Sequence, residues 1–232
     1  MRAVLFDAGN TLIHSRVSIG DSYARVARTH GVQAQADALD RSFAEAFTRR
    51  KEFFVGSVSN PHSPARERAW WRGLVADAFR AVGLWGVLEP VFDRVFEDLY
   101  ALFERPEAWE VFPDVEPCLQ GLEARGIPGA IVSNWDSRLH KVLSGLRLHE
   151  RFRFVLTSAE FGAEKPDPSI FLEAARRLGA PPAEVLHVGD LLVDDIEGSR
   201  AAGMRGLLID RECTVPPIAD RICRLDELLE RI

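Results

Sequence analysis

The stretch Leu5-Phe6-Asp7-Ala8-Gly9-Asn10-Thr11-Leu12 lies near the start of the 232-residue chain and carries the main clue to its fold. An apolar run that begins at Ala3 ends at Asp7 and passes directly into Gly-Asn, the residues that most readily adopt positive φ. This pattern predicts a short buried strand that brings Asp7 to the carboxyl edge of a sheet, where open α/β folds bind ligands. A simpler interpretation is that Asp7 only caps the segment that follows.

The composition predicts one large domain, or a core with a smaller insert. Hydrophobic residues make up 47% of the chain and charged residues 28%, which suits a sizeable core and a charged surface. The net charge of −6 gives no reason to expect a nucleic-acid partner. No apolar run reaches the length of a membrane span and the N-terminus lacks a signal-peptide pattern, so we expect a cytoplasmic protein with no membrane partner. The oligomeric state stays open.

The three cysteines, Cys118, Cys213 and Cys223, lie far apart in the sequence. Their number is odd and their spacing matches no common metal site. We therefore expect buried or inert thiols in a reducing compartment.

From Ile13 to about Trp109 the apolar residues recur at helical spacing. A polar loop around Val58 to Pro64, where helix is not expected, interrupts this block. Large aromatic side chains usually anchor cores, so we expect the block's tryptophans to be packing residues. They are Trp70, Trp71 and Trp85.

After Pro113 short apolar runs and amphipathic segments alternate. The predicted strands cover residues 130–132, 154–156, 185–188 and 206–209, and the predicted helices include 114–125, 193–202 and a closing helix at 225–232. Asp167-Pro168 has the order expected for the N-cap and first residue of another helix. Such alternation predicts an α/β fold, with a Rossmann-like three-layer core built on a parallel sheet.

The helical block separates the first strand from all the others, so it is an insertion into one α/β domain. We expect residues 1–13 and 110–232 to form the core, and residues 14–109 to form an all-helical domain.

Polar residues follow the ends of several predicted strands. Because parallel strands share one carboxyl edge, carboxylates from separate segments would crowd together there, and a hard divalent cation such as Mg²⁺ relieves their repulsion. A lysine and a serine could hold further oxygens of a tetrahedral dianion. Each residue also has a structural alternative, such as a turn, an exposed lysine or a helix-terminal charge, but their convergence favours a site. They are Asp7, Ser133, Asn134, Lys165, Asp190, Asp194 and Asp195.

These motifs, in this order, resemble the haloacid dehalogenase-like hydrolase superfamily. The resemblance covers essentially the whole chain, and the helical insertion resembles the C1-type cap of that family. Within the superfamily, the stretch from Tyr23 to Gly31 and the Trp70-Trp71 pair resemble one particular branch.

The resemblance implies that Asp7 is the nucleophile. It also implies that Mg²⁺ is held by Asp7, the Gly9 carbonyl and Asp190, with Asp194 or Asp195 in the outer shell. A carboxylate placed in line with a phosphoryl group can form an aspartyl-phosphate, which divides hydrolysis into two steps.

The resemblance further implies phosphate contacts from Ser133 and Lys165, with Asn134 and Thr11 as additional substrate-binding residues. The expected partner is a small phosphorylated metabolite. A helical cap would exclude water and select the leaving group.

One position departs from the phosphatases of this family. They carry a second aspartate two residues after the nucleophile, as general acid and base, and this chain has Gly9 there. Three explanations follow: a phosphatase whose proton comes from a neighbouring group or the substrate, a 2-haloacid dehalogenase-type hydrolase, or a weak or inactive binding protein. The carboxylates Asp190, Asp194 and Asp195 favour the phosphatase, because without a cation they would raise the pKa of the nucleophile.

Overall fold

The computed structural model describes residues 1–55, 64–214 and 220–232, and of residues 51–55 and 64 it describes the backbone alone. Most of the predicted polar loop, at residues 58–63, lies outside the described residues. The chain forms two compact units. The core unit comprises Met1–His14 and Glu110–Ile232, and the helical unit comprises Ser15–Trp109. That the helical unit acts as a cap stays a prediction.

The strands of the described residues are, in chain order, β1 (Ala3–Phe6), β2 (Ile13–Ser15), β3 (Trp109–Val111), β4 (Gly129–Ser133), β5 (Val155–Thr157), β6 (Val185–Gly189), β7 (Arg205–Ile209) and β8 (Arg221–Ile222). The core unit is built on a six-stranded sheet in the order β5-β4-β1-β6-β7-β8, in which every neighbouring pair is parallel. Because β1 is central, the residues that follow it lie in the middle of the carboxyl edge.

In the part of the chain that the structure describes, α-helices alternate with the strands of the core unit and make up most of the helical unit. In chain order they are α1 (Ile19–Thr29), α2 (Ala36–Val55), α3 (Pro64–Ala81), α4 (Trp85–Leu88), α5 (Phe92–Phe103), α6 (Val115–Ala124), α7 (Arg138–Gly145), α8 (Ser158–Phe161), α9 (Pro168–Leu178) and α10 (Gly198–Ala201). The 3-10 helices are Glu89–Val91, Pro106–Ala108, His149–Arg151, Pro182–Glu184 and Leu225–Glu230, and Leu192–Glu197 is a π-helix.

The predicted parallel sheet between helices is confirmed, and β1 lies at its centre with all four residues buried. On one face of the sheet Leu5 and Val132 pack with Ile170 and Phe171 of α9. That helix begins as predicted, because Asp167 accepts a hydrogen bond from the Ser169 N–H at 2.8 Å. Continuous apolar strands of this kind are typical of sheets that are covered on both faces.

Two segments of the core unit differ from the predicted helices. Residues 193–202 form a π-helix followed by the short helix α10, and the predicted closing helix is 3-10 from Leu225 to Glu230. Hydrophobic spacing alone does not distinguish these narrower and wider helices from an α-helix.

The helical unit packs α1, α2, α3 and α5 around an aromatic cluster in which Tyr23 stacks on Phe79 at 6.0 Å. Trp71 and Trp85 pack against this cluster, as expected, and Trp70 makes edge contacts with Phe47 and Trp71. The ends of the predicted helical block are instead the strands β2 and β3, which pair with each other. None of the described helices combines the length and hydrophobicity that crossing a bilayer requires.

The expectation of buried or inert thiols was wrong for Cys213 and Cys223. Cys213 and Cys223 form a disulfide, with their Cα atoms 5.5 Å apart, because the chain returns after β7 to pair as β8. Cys118 is free, and burial raises the pKa of its thiol to about 12, so it is unreactive at neutral pH.

Candidate active site

Three of the predicted site residues lie where central strands of the core unit end. Asp7 directly follows β1, Ser133 is the last residue of β4, and Asp190 directly follows β6. The Asp7 N–H donates to the carbonyl of Val188 at 2.9 Å, which continues the sheet one residue beyond the strand. The parallel pairing therefore brings these residues to the same edge, as predicted from their order in the sequence.

Lys165, in the loop before α9, is buried between two carboxylates. Its side chain is 3% exposed, and Nζ donates to Asp7 Oδ1 at 2.7 Å and to Asp195 Oδ1 at 2.5 Å. Burial lowers the pKa of Lys165, but the charges of Asp195 and Asp7 outweigh it and hold the pKa above its ordinary value. The ammonium stays charged and could neutralise a group that reacts at Asp7.

Asp195 and Asp190 respond in opposite ways to their surroundings. Burial raises the pKa of Asp195, but Lys165 and His187 outweigh it, so the pKa lies well below its ordinary value and the group is ionised. Burial and the charges of Asp7 and Asp195 raise the pKa of Asp190 to about 7. The site therefore carries more negative charge than Lys165 offsets.

This excess charge fits a divalent cation. Asp7, Asp190 and Asp195 each offer a carboxylate oxygen, and these oxygens lie within 4.8 Å of one another. Asp195 already accepts hydrogen bonds on both oxygens, from Lys165 and His187 on Oδ1 and from the Leu191 N–H on Oδ2. Asp7 and Asp190 are thus the carboxylates that could hold an ion such as Mg²⁺, which favours one or two carboxylates plus other oxygens. The contribution of the Gly9 carbonyl stays a prediction.

The side-chain amide of Asn134 holds the backbone of Lys165 from both sides. Asn134 Oδ1 accepts from the Lys165 N–H at 2.7 Å, and Nδ2 donates to the Lys165 carbonyl at 2.8 Å. Nδ2 also lies 3.3 Å from Asp194 Oδ2. Both amide hydrogens are therefore engaged within the protein. We infer that Asn134 positions Lys165, whereas the substrate contact predicted for Asn134 stays untested.

Thr11 lies fully buried in the loop after β1. Its carbonyl accepts a hydrogen bond from Arg211, which also pairs with the buried Asp114 and lies over the Phe112 ring. Thr11 Oγ1 has no hydrogen-bond partner within the described residues. Arg211 thus holds the loop that follows Asp7. A substrate contact from Thr11 stays a prediction, as does one from the buried Ser133.

Three residues that sequence reasoning did not single out adjoin the site. Asn10 adopts a left-handed backbone (φ 51°), and its Nδ2 lies 3.4 Å from Asp190 Oδ2. The Trp135 ring lies beside Gly9, since Cζ3 would be 3.7 Å from a Cβ added there. His187, in the middle of β6, hydrogen-bonds Asp195 at 2.9 Å. The one available signal was His187 itself, a titratable residue within an otherwise apolar strand.

The parallel sheet and the acidic residues and lysine at its carboxyl edge define an α/β protein with a polar site at the end of its first strand. A model of the haloacid dehalogenase-like hydrolases matches residues 1–203, and the chain belongs to this hydrolase family. The predicted membership is therefore confirmed.

Two curated relatives and two solved structures illustrate the likeness. Haloacid dehalogenase-like hydrolase domain-containing protein 3 of Mus musculus is 38% identical over 90% of this chain and 82% of its own length. This is the branch that the segment from Tyr23 to Gly31 and the Trp70-Trp71 pair had indicated. A protein of Methanopyrus kandleri named glyceraldehyde 3-phosphate phosphatase is 32% identical over 91% of this chain and 84% of its own length.

Among the solved structures, a phosphatase of the same family from Thermococcus onnurineus is 26% identical, with a TM-score of 0.64, and the match covers 100% of this chain and 97% of that one. A defluorinating L-2-haloacid dehalogenase has a TM-score of 0.79 at 20% identity, covering 100% of this chain and 94% of that one. The second likeness concerns the fold alone.

Proposed function

We propose that this chain is a Mg²⁺-dependent phosphatase that hydrolyses a small phosphorylated metabolite through an aspartyl-phosphate on Asp7. The observation that carries the proposal is the cluster of Asp7, Asp190 and Asp195, whose oxygens lie within 4.8 Å of one another beside the Lys165 ammonium. A dehalogenase needs no cation, and excess carboxylate charge would weaken its nucleophile. The relatives named as phosphatases also support phosphoryl chemistry.

In the proposed reaction an Asp7 oxygen attacks phosphorus, and the bond from phosphorus to the leaving oxygen breaks as the new bond forms. Lys165, 2.7 Å from Asp7 Oδ1, offsets negative charge on the phosphoryl oxygens. Water then attacks the aspartyl-phosphate and releases phosphate, which restores Asp7. Asp7, the Gly9 carbonyl and Asp190 would hold Mg²⁺, which when bound offsets charge on the same oxygens.

Gly9 leaves no carboxylic acid two residues after the nucleophile. The proton for the leaving oxygen must therefore come from water, the substrate or a neighbouring group. Loss of a positioned acid and base costs about 100- to 10,000-fold in rate, so we expect slow turnover of generic esters.

The test is release of p-nitrophenol from p-nitrophenyl phosphate with and without Mg²⁺, followed by a screen of phosphorylated metabolites. We expect Mg²⁺-dependent turnover that is lost in Asp7→Asn and kept in the matched control Asp226→Asn, which alters an ion pair with Arg224 in the C-terminal 3-10 helix. Turnover that persists in Asp7→Asn, or that survives chelation of Mg²⁺, would contradict the proposal.

A dehalogenase is the second candidate. Dehalogenases of this family also lack the second aspartate, and this chain has Gly9 at that position. Halide release from 2-haloacids that is insensitive to chelator would support it and overturn the phosphatase. Neither activity, together with stabilisation by a ligand or a co-purifying protein, would indicate a binding protein.

A further inference from the structure

His187 is a fully buried imidazole in the middle of β6. It pairs in register with Leu5 of β1 on one side and with Gly206 of β7 on the other, and the Phe171 ring lies edge-on at 4.9 Å. Burying a polar ring among apolar strands is unfavourable unless its N–H group is hydrogen-bonded. A residue with a purely packing role at this position could be apolar, as Val185 is on the same face of β6.

The hydrogen bond of His187 determines its tautomer. Nε2 lies 2.9 Å from Asp195 Oδ1, and an ionised carboxylate can only accept, so Nε2 carries the hydrogen. Burial lowers the pKa of His187 and outweighs the opposing effect of Asp195, so the ring is neutral. Nδ1 has no partner among the described residues, which agrees with an unprotonated nitrogen. His187 therefore donates one hydrogen bond, and Asp195 receives it.

Asp195 Oδ1 receives hydrogen bonds from two donors. His187 Nε2 lies at 2.9 Å and Lys165 Nζ at 2.5 Å. The carboxylate also packs against the backbone of Gly189, where an added Cβ would come within 2.1 Å of Asp195 Cγ. The imidazole and the glycine together restrict where this carboxylate can lie. The Lys165 ammonium, which binds the Asp195 carboxylate, lies 2.7 Å from Asp7 Oδ1.

We propose that His187 is a positioning residue whose Nε2–H group holds Asp195 in the orientation that keeps the Lys165 ammonium against Asp7. The proposal deepens the proposed phosphatase function and, for its effect on turnover, rests on it. Without this donor the buried Asp195 carboxylate loses one of its hydrogen bonds and can rotate, carrying Lys165 with it. Substrate binding should change little, because within the described residues His187 hydrogen-bonds Asp195 and neither the carboxylate of Asp7 nor that of Asp190.

The experiment compares His187→Gln, whose amide can place an N–H near the position of Nε2, with His187→Leu, which has no donor. We expect kcat of His187→Leu to fall by about 10- to 100-fold with KM nearly unchanged, the range typical of outer-shell partners, and His187→Gln to recover most of it. The proposal would be overturned if both variants lost kcat equally and in proportion to their loss of thermal stability. If His187→Leu does not fold, His187→Gln and the measurement below still test it.

A measurement that does not depend on enzymatic activity separates this proposal from the proposed phosphatase function. In ¹⁵N NMR spectra of the wild type, with His187→Gln for assignment, we expect a neutral ring protonated on Nε2 throughout the neutral pH range. A ring protonated on Nδ1 and not on Nε2 would overturn the role of His187 whatever the enzyme hydrolyses. If His187 is protonated on Nε2 as expected but the protein has no phosphatase activity, only the proposed function is contradicted.

Discussion

The Lys165 ammonium lies 2.7 Å from the Asp7 carboxylate, although 158 residues separate the two in the sequence. Lys165 is held from three directions: Asn134 binds its backbone, and Asp7 and Asp195 bind its ammonium. A cation held this firmly beside the proposed nucleophile needs no reorganisation when charge develops on a transferred group.

Lys165→Met removes the ammonium and leaves the Asp7 and Asp195 carboxylates buried without their cation. We expect the free energy of unfolding to fall by about 3–5 kcal/mol, as when one partner of a buried ion pair is removed. We also expect turnover to fall at least about 100-fold. Urea unfolding and the p-nitrophenyl phosphate assay measure the two effects. Lys141→Met, at an exposed position of α7, is the matched control and should change neither. A Lys165→Met protein as stable as the wild type would show that the ion pairs contribute nothing.

Gly189→Ala introduces a methyl group where the carboxylate of Asp195 lies, with only 2.1 Å between the new Cβ and Asp195 Cγ. Asp195 must move, so we expect Lys165 to lose one of its two anchors and kcat to fall by about 10- to 100-fold. Gly86→Ala in α4 is the control, because an added Cβ there meets nothing within 4 Å. A crystal structure of Gly189→Ala with Asp195 and Lys165 unmoved would refute this expectation.

Mg²⁺ affinity should depend on pH through Asp190, whose pKa is raised to about 7 by burial and by its acidic neighbours. The metal binds the ionised carboxylate, so below pH 7 it must displace a proton. We expect the affinity to fall by about tenfold for each pH unit below 7 and to level off above it. Calorimetry between pH 6 and 8, in buffers of different ionisation enthalpy, measures both the affinity and the proton release. An affinity independent of pH over this range would contradict the raised pKa.

Asp190→Asn removes one of the two carboxylates proposed to face the ion, so we expect Mg²⁺ to stop raising the thermal unfolding temperature. Because the folded-state pKa of Asp190 lies above its unfolded value, protonation favours the folded state, and this contribution declines as pH rises through 7. Without Mg²⁺ at pH 8, Asp190→Asn should therefore unfold at a higher temperature than the wild type. A lower temperature would indicate that the carboxylate is stabilising.

Gly9→Asp introduces the acid and base that phosphatases of the family carry. The added Cβ would lie 3.7 Å from Trp135 Cζ3, an ordinary contact, so we expect the variant to fold. Turnover of p-nitrophenyl phosphate should rise by about 100-fold, the lower end of what a positioned acid and base contributes. Gly9→Asn is the control of similar size that cannot transfer a proton. No increase in Gly9→Asp would mean that the proton is supplied elsewhere.

Most of the architecture was predictable, because apolar runs and their spacing are local properties of the chain. The runs before Asp7, Asn134 and Asp190 identify strands, and the parallel sheet brings their ends to one edge. The Asp167-Pro168 pair likewise indicated where α9 begins. The disulfide between Cys213 and Cys223 was not predictable, because it depends on the chain returning beside β7 to form β8.

The residue sequence was enough to predict that Asp7 ends the first strand, that later strands bring polar residues to the same edge, and that a helical block lies between the first strand and the rest, because strand direction and periodicity follow from neighbouring residues. It could not distinguish Asp194 from Asp195, which are adjacent. Their side chains diverge because they lie in a π-helix, where Asp195 meets Gly189 and Lys165 while Asp194 meets Asn134. The direction of each side chain depends on the local helical twist and on packing against distant strands, and those arise when the folded chain brings the segments together.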